Sequence, residues 1–130
     1  MSAPPPHPAT SHPVAFGRLA PTVVVSDIGR AVVFYRDVLG MIPVFENGDP
    51  VSFVIVERDQ AELHLALHPA HEAREENVAH LLVSDAAALY HHLVNQGVTI
   101  VKAIRDADYE MRTFVFADPD GNRIDVGQYL

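Results

Sequence analysis

Val25-Ser26-Asp27 returns 58 residues later as Val83-Ser84-Asp85, and the surroundings of the two tripeptides match. A β-rich run precedes each copy, at 22–25 and at 78–83. Apolar residues at helical spacing follow: Ile28, Ala31, Val32, Tyr35 and Leu39 in the first copy, and Leu89, Leu93 and Val94 in the second. Asp27 and Asp85 stand where a side-chain oxygen accepts a first-turn N–H. Gly40 and Gly97 stand where a helix closes through a left-handed residue.

The second half of each copy repeats as well. Phe53-Val54-Ile55-Val56, a polar turn and Leu63-His64-Leu65 match Phe114-Val115-Phe116-Ala117, a polar turn and Ile124-Asp125-Val126, at an offset of 61. Asp118-Pro119-Asp120-Gly121 has strong turn chemistry, since Pro presets φ, Asp caps locally and Gly accepts φ above zero. Arg58-Asp59-Gln60 is its weaker counterpart. With a strand after each helix, near 41–46 and 99–104, each half reads βαβββ, and the polar segment 69–77 joins the halves. The predicted fold is α+β: two βαβββ modules, about 18–68 and 78–130, forming a strongly curved mixed sheet with helices on its convex face and a cleft on its concave one. Residues 18–130 are expected to form one domain. Residues 1–17 are expected to be a disordered Pro-rich tail, because proline lacks an N–H and fixes its φ; His7 and His12 fall in it.

At 48% hydrophobic residues the chain can bury a core without staples. The formal net charge is −8 and the nine Lys and Arg look scattered along the chain, which argues against a nucleic-acid partner. An acidic surface favours cationic ligands mildly through steering, and solubility accounts for it equally well. The sequence has no cysteine, hence no disulfide, thiolate metal site or Cys nucleophile, which fits a cytoplasmic setting. No apolar run approaches a membrane span, and the N-terminal stretch lacks the pattern of a signal peptide. No Gly-rich phosphate loop or Ser-His-Asp signature is present; Ser26 and Ser84 read as structural positions at helix starts.

The run from Asp27 to Met41, with Phe34-Tyr35 and Leu39-Gly40, resembles the first-helix signature of the vicinal oxygen chelate superfamily, the fold of glyoxalase and bleomycin-resistance proteins. Asp118-Pro119-Asp120-Gly121-Asn122 followed by Ile124 resembles its closing hairpin. The resemblance covers roughly residues 19 to 128 and implies paired βαβββ modules. Its members include metal-dependent enzymes and metal-free binding proteins, so the site has to decide function.

Strand side chains alternate between faces. Leu63, Leu65 and Leu67 should therefore pack under helices, with Glu62, His64, Ala66 and His68 in the cleft. Likewise Ile124 and Val126 should pack inward, with Arg123, Asp125 and Gly127 in the cleft. The resemblance implies metal ligands on the first and last strand of each module. Those positions fall at Ala20, His64, Val78 and Asp125, so two of the four cannot bind a metal, and His80 is a displaced third candidate. Each candidate also has a plainer reading. His64 is either a ligand contact or an ordinary hydrogen-bonded histidine. Asp125 is either functional or an ion-pair partner of Arg112 or Arg123. His80 on an apolar strand is more often interior. His91 and His92 read as solvated or packed helix residues, and His68, His71, Glu72, Glu75 and Glu76 as a wet connector.

Two functions follow. The first is a metal-independent binder of a small molecule, resembling the bleomycin-resistance branch, with ligand contacts from His64, Asp125, His80 and Glu62 and no cofactor. The second is a lyase, isomerase or dioxygenase using zinc, iron or manganese held by His64, Asp125 and His80 as a Lewis acid. A homodimer is expected, because an open curved sheet leaves edges that invite pairing, and His64 and Asp125 are expected to face each other across the cleft.

Overall fold

A computed structural model of the chain describes residues 13–107 and 110–130. The expected tail lies outside them up to residue 12, with His7 and His12; residues 13–17 are described and exposed. The element order is β1 (Thr22–Val25), α1 (Ile28–Val33, continued by a wider π segment over Phe34–Val38), β2 (Ile42–Asn47), β3 (Phe53–Arg58), β4 (Ala61–Leu67), β5 (Asn77–Leu82), α2 (Ala86–Asn95), β6 (Thr99–Ala107), β7 (Met111–Ala117) and β8 (Arg123–Tyr129). The strands form two four-stranded mixed sheets, β1-β4-β3-β2 and β5-β8-β7-β6. In each, the first strand runs parallel to the last and the others are antiparallel. This is the expected pair of βαβββ modules.

The helix ends follow from the residues named above. Asp27 accepts the Arg30 N–H and Asp85 accepts the Ala88 N–H, both at 3.0 Å. Gly40 and Gly97 have φ of 69° and 74°, where a side chain would be strained. After α2 the Gly97 and Val98 N–H groups return to Val94 and Leu93, the Schellman pattern. After α1 the closure is one residue wider: the Leu39 N–H reaches Phe34 at 3.4 Å and the Met41 N–H reaches Tyr35 at 2.8 Å.

Strand registers refine the repeat. Thr22 pairs with His64 and His80 with Asp125, which are equivalent rows at offsets of 58 and 61. In the third strands, however, Phe53 pairs with Ala66 and Thr113 with Gly127. Thr113, not Phe114, is therefore the counterpart of Phe53, and the offset there is 60. The hairpin between β7 and β8 holds one residue more than its counterpart, so the offset changes across it. Core-facing Val54 and Val56 then correspond to Phe114 and Phe116, all buried.

One apolar core serves both modules. Val23, Val25, Tyr35, Val54, Val56, Leu63 and Leu65 cluster with Leu93, Phe114, Phe116, Ile124 and Val126. The 118–122 hairpin joins the modules through polar groups. Asp118, buried, accepts the backbone N–H groups of Asp120 and Asn122 on Oδ1, and the Tyr35 hydroxyl (2.8 Å) and Asn122 Nδ2 (3.0 Å) on Oδ2. Asn122 also donates to the Val24 carbonyl at 2.8 Å and accepts from His71 Nε2 at 2.9 Å. Asp120 accepts from the backbone and hydroxyl of Ser26 and from Arg30. Burial raises its pKa, but the Ser26 hydrogen bonds and Arg30 outweigh that and hold it below the usual range.

Burial, and then Asp118, push the Tyr35 hydroxyl well above its ordinary pKa. Its neutral form is thus favoured in the folded state. That stability is fully present below the unfolded tyrosine pKa of about 10 and is lost as pH rises through the folded value. Replacing Tyr35 by Phe should cost about 1–3 kcal/mol at pH 7, because Asp118 loses a buried donor. It should also flatten the alkaline decline in stability between roughly pH 10 and 11. Urea unfolding of both proteins at pH 7, 10 and 11 checks this; parallel declines would contradict it.

Candidate functional site

The faces turned away from the core are where strand alternation leaves polar side chains unburied. In the first sheet the row Thr22–His64–Ile55–Phe45 crosses all four strands on that face, and in the second the row His80–Asp125–Val115–Lys102 is its counterpart. Leu63 and Leu65, and Ile124 and Val126, are buried on the helix side, while Glu62, His64 and Asp125 are partly exposed. The parity expected for both last strands holds.

The four candidates form two separate pairs. His64 Nε2 lies 2.7 Å from Glu62 Oε2. Arg18, on the segment leading into β1, donates to Glu62 at 3.0 Å, to Glu57 at 3.3 Å and to the Gln60 carbonyl at 3.0 Å. The His64 hydrogen bond, and then Arg18, keep the Glu62 carboxyl below its ordinary pKa against the cost of its partial burial. The His64 ring meets Phe53 edge-on at 5.4 Å, and Phe53 meets Phe45 at 6.2 Å, giving the face an aromatic flank.

In the second sheet His80 Nδ1 lies 2.8 Å from Asp125 Oδ2. A neutral ring donating from Nδ1 keeps Nε2 as an acceptor. Gly127 makes room for this ring: a Cβ there would stand 2.9 Å from His80 Cε1 and 2.6 Å from Met111 Sδ. His80 is thus not interior; its side chain is 44% exposed. Asp125 pairs with His80, not with an arginine, and Arg112 is engaged by Asp106 at 2.8 Å. His92 Nε2 lies 2.7 Å from the Val38 carbonyl, and His71 binds Asn122, so this part of the connector is anchored rather than merely wet.

Two cavities adjoin these pairs. One of about 160 Å³ is lined by Asn77, Lys102, Arg105, Thr113, Val115 and Asp125. The other, about 330 Å³ and mainly apolar, lies between the modules, with Arg18, Glu62 and His80 at its polar side and Leu39, Met41 and Phe116 among its apolar walls. Neither includes His64.

Residues 10–126 match the sequence model of the Glyoxalase/Bleomycin resistance protein/Dioxygenase superfamily. The chain belongs to this superfamily. Solved structures agree in fold. A superfamily member from Sphaerobacter thermophilus DSM 20745 is 27% identical with a TM-score of 0.75, over 88% of this chain and 98% of that one. The bleomycin resistance determinant encoded on transposon Tn5 is 20% identical with a TM-score of 0.72, over 88% and 98%. TnmS3, an antibiotic-binding protein from Streptomyces sp. CB03234, is 23% identical with a TM-score of 0.72, over 90% and 99%.

Within this superfamily fold, the donor set of the described residues does not fit a chelated divalent ion in one chain. Among the described residues no three or more His, Asp or Glu side chains are grouped to hold a metal. His64 and Asp125 are each committed to a different partner in a different sheet, and Ala20 and Val78 offer no donor. No helix among the described residues is long and apolar enough to cross a membrane.

Proposed function

We propose that this chain binds a small organic molecule on its concave sheet faces, without a tightly held metal ion, in the cytoplasm and as a homodimer. The observation that carries the reading is the arrangement of polar groups as two hydrogen-bonded pairs, Glu62–His64 and His80–Asp125, instead of a converging ligand set. Each pair leaves carboxylate oxygens and ring nitrogens to a ligand, and charge-assisted hydrogen bonds of this kind contribute about 1.5–3 kcal/mol each. The aromatic flank of Phe45 and Phe53 supplies apolar contact. The likeness to a bleomycin resistance determinant and to an antibiotic-binding protein supports sequestration of a drug-like compound as the role.

The homodimer rests on apolar surface a single chain leaves in water. Phe16 and Leu19 are 90% and 99% exposed, and the edge strand β2 presents Ile42, Val44 and Phe45. A second copy covering these groups would stand beside the Glu62–His64 face and complete the binding cleft. Light scattering at micromolar concentration should give twice the mass of one chain; one chain's mass would contradict the dimer.

The binding reading is tested on protein purified without a histidine tag. Zinc, iron and manganese should be far below one per chain, and thermal-shift screening of cationic antibiotics should find stabilising ligands whether or not a chelator is present. For a cationic ligand, Asp125→Asn should weaken binding about tenfold, or ~1.4 kcal/mol. Stoichiometric metal that resists the chelator would instead favour the metal-dependent lyase, isomerase or dioxygenase reading.

A further inference from the structure

Three of the nine basic residues, separated along the chain, gather on one face in space. Among the described residues, Arg18, Arg30, Arg36, Arg58 and Arg112 are each in an ion pair with a carboxylate. Arg74, Lys102, Arg105 and Arg123 are in none, although the chain has 17 acidic residues against nine basic ones. Of these four, Lys102, Arg105 and Arg123 share one face.

Their convergence depends on two irregularities in β6. Ile100 pairs with Phe116, and both it and Ile104 pack against the core. Strict alternation would send Lys102 to the core side with them. The register instead slips between Ile100 and Lys102, so Lys102 pairs with Val115, and slips again before Arg105, which pairs with Thr113. Bulges of this kind re-aim side chains. Val115 and Thr113 lie on the face opposite Phe114 and Phe116, so Lys102 and Arg105 stand there too. Arg123, opposite Ala117, lies on the same face by the alternation of β8.

Lys102 and Arg105 are exposed at the rim of the 160 Å³ cavity, and Thr113 and Val115, 7% and 5% exposed, form its floor. The Thr113 hydroxyl has no protein hydrogen-bond partner among the described residues. Asp125, on the cavity's other side, is held by His80 at 2.8 Å and stands two strands from Lys102, roughly 10 Å at the usual strand spacing.

We infer that this cavity is a subsite for an oxyanion, the carboxylate or phosphate group of a small organic ligand, bound by Lys102, Arg105 and the Thr113 hydroxyl with Arg123 adding to the field. A guanidinium and an ammonium beside the unpartnered Thr113 hydroxyl match the acceptor geometry of either group. With the His80–Asp125 pair on the opposite side, the ligand of the proposed binding function carries an acid group at one end and a cationic or hydrogen-bonding group at the other. The inference rests on that binding function and narrows it to a ligand that carries an acid group.

Titrations of the full chain with inorganic phosphate, malonate and tetramethylammonium, followed by ¹H–¹⁵N spectra at low ionic strength, test it. Phosphate or malonate should shift the amides of Lys102, Arg105 and Thr113 saturably, and whichever binds more tightly identifies the acid group. The double variant Lys102→Met, Arg105→Met should weaken this at least tenfold, and the charge-keeping Lys102→Arg, Arg105→Lys should retain most of it. No saturable shift with either anion, or equal affinity in the methionine variant, overturns the oxyanion subsite. If tetramethylammonium alone shifts His80 and Asp125, the oxyanion subsite falls while the concave-face binding function stands. Anion binding that vanishes when a co-purified metal is stripped overturns both.

Discussion

The hairpin Asp118-Pro119-Asp120-Gly121-Asn122 is the constraint on which the arrangement depends. It is a turn of the second module, yet its side chains are satisfied largely by the first: Asp118 by Tyr35, Asn122 by the Val24 carbonyl, and Asp120 by Ser26 and Arg30. Buried polar groups of this kind are costly when unpaired. The two modules therefore come together in one relative position, the one that closes these bonds over a shared apolar core. One oxygen is left over: Asp120 Oδ2 is buried without a partner among the described residues, so the lock holds an unpaired acceptor beside Ser26.

With the helix-facing sides of both sheets committed to that core, alternation leaves the other sides to carry polar chemistry. The two sheets repeat the same design with different residues. Thr22–His64 in one answers to His80–Asp125 in the other, and Phe45 in one answers to Lys102 in the other. Even the irregularity is repeated, between Pro43 and Phe45 and between Ile100 and Lys102. The duplicated frame thus offers one face with an aromatic flank beside Glu62–His64 and one with Lys102 and Arg105 beside His80–Asp125, a division of chemistry between two copies of one scaffold.

Much of this was legible in the sequence because it rests on local rules. The aspartate caps, the two helix-closing glycines and the period-2 patterns of β4 and β8 each state their structure within a few residues, and the superfamily assignment rests on the same stretches. What was not legible depends on register. The extra hairpin residue changes the offset for β7, which made Phe114 look like the counterpart of Phe53. The bulges in β6 have no signal in the Thr99–Ala107 sequence, and so the gathering of Lys102 and Arg105 was hidden. The pairing of His80 with Asp125 was within reach, since both were placed on the concave face. The ion-pair alternative for Asp125 named only Arg112 and Arg123, whereas its partner His80 stands on the parallel neighbour strand. The contact of Arg18 with Glu62 crosses 44 residues from an irregular segment and could not be read from pattern.

The central claim is that the hairpin lock makes the two concave faces one preformed unit. Native-state hydrogen exchange tests it most directly, by comparing Val54, Val56 and Leu65 of the first module with Phe114, Phe116 and Val126 of the second. In the unmodified chain these amides should share one opening free energy, equal to that of global unfolding, and Asn122→Ala should lower both sets together. Separate opening free energies for the two modules, or a loss in Asn122→Ala confined to the second, would contradict the account.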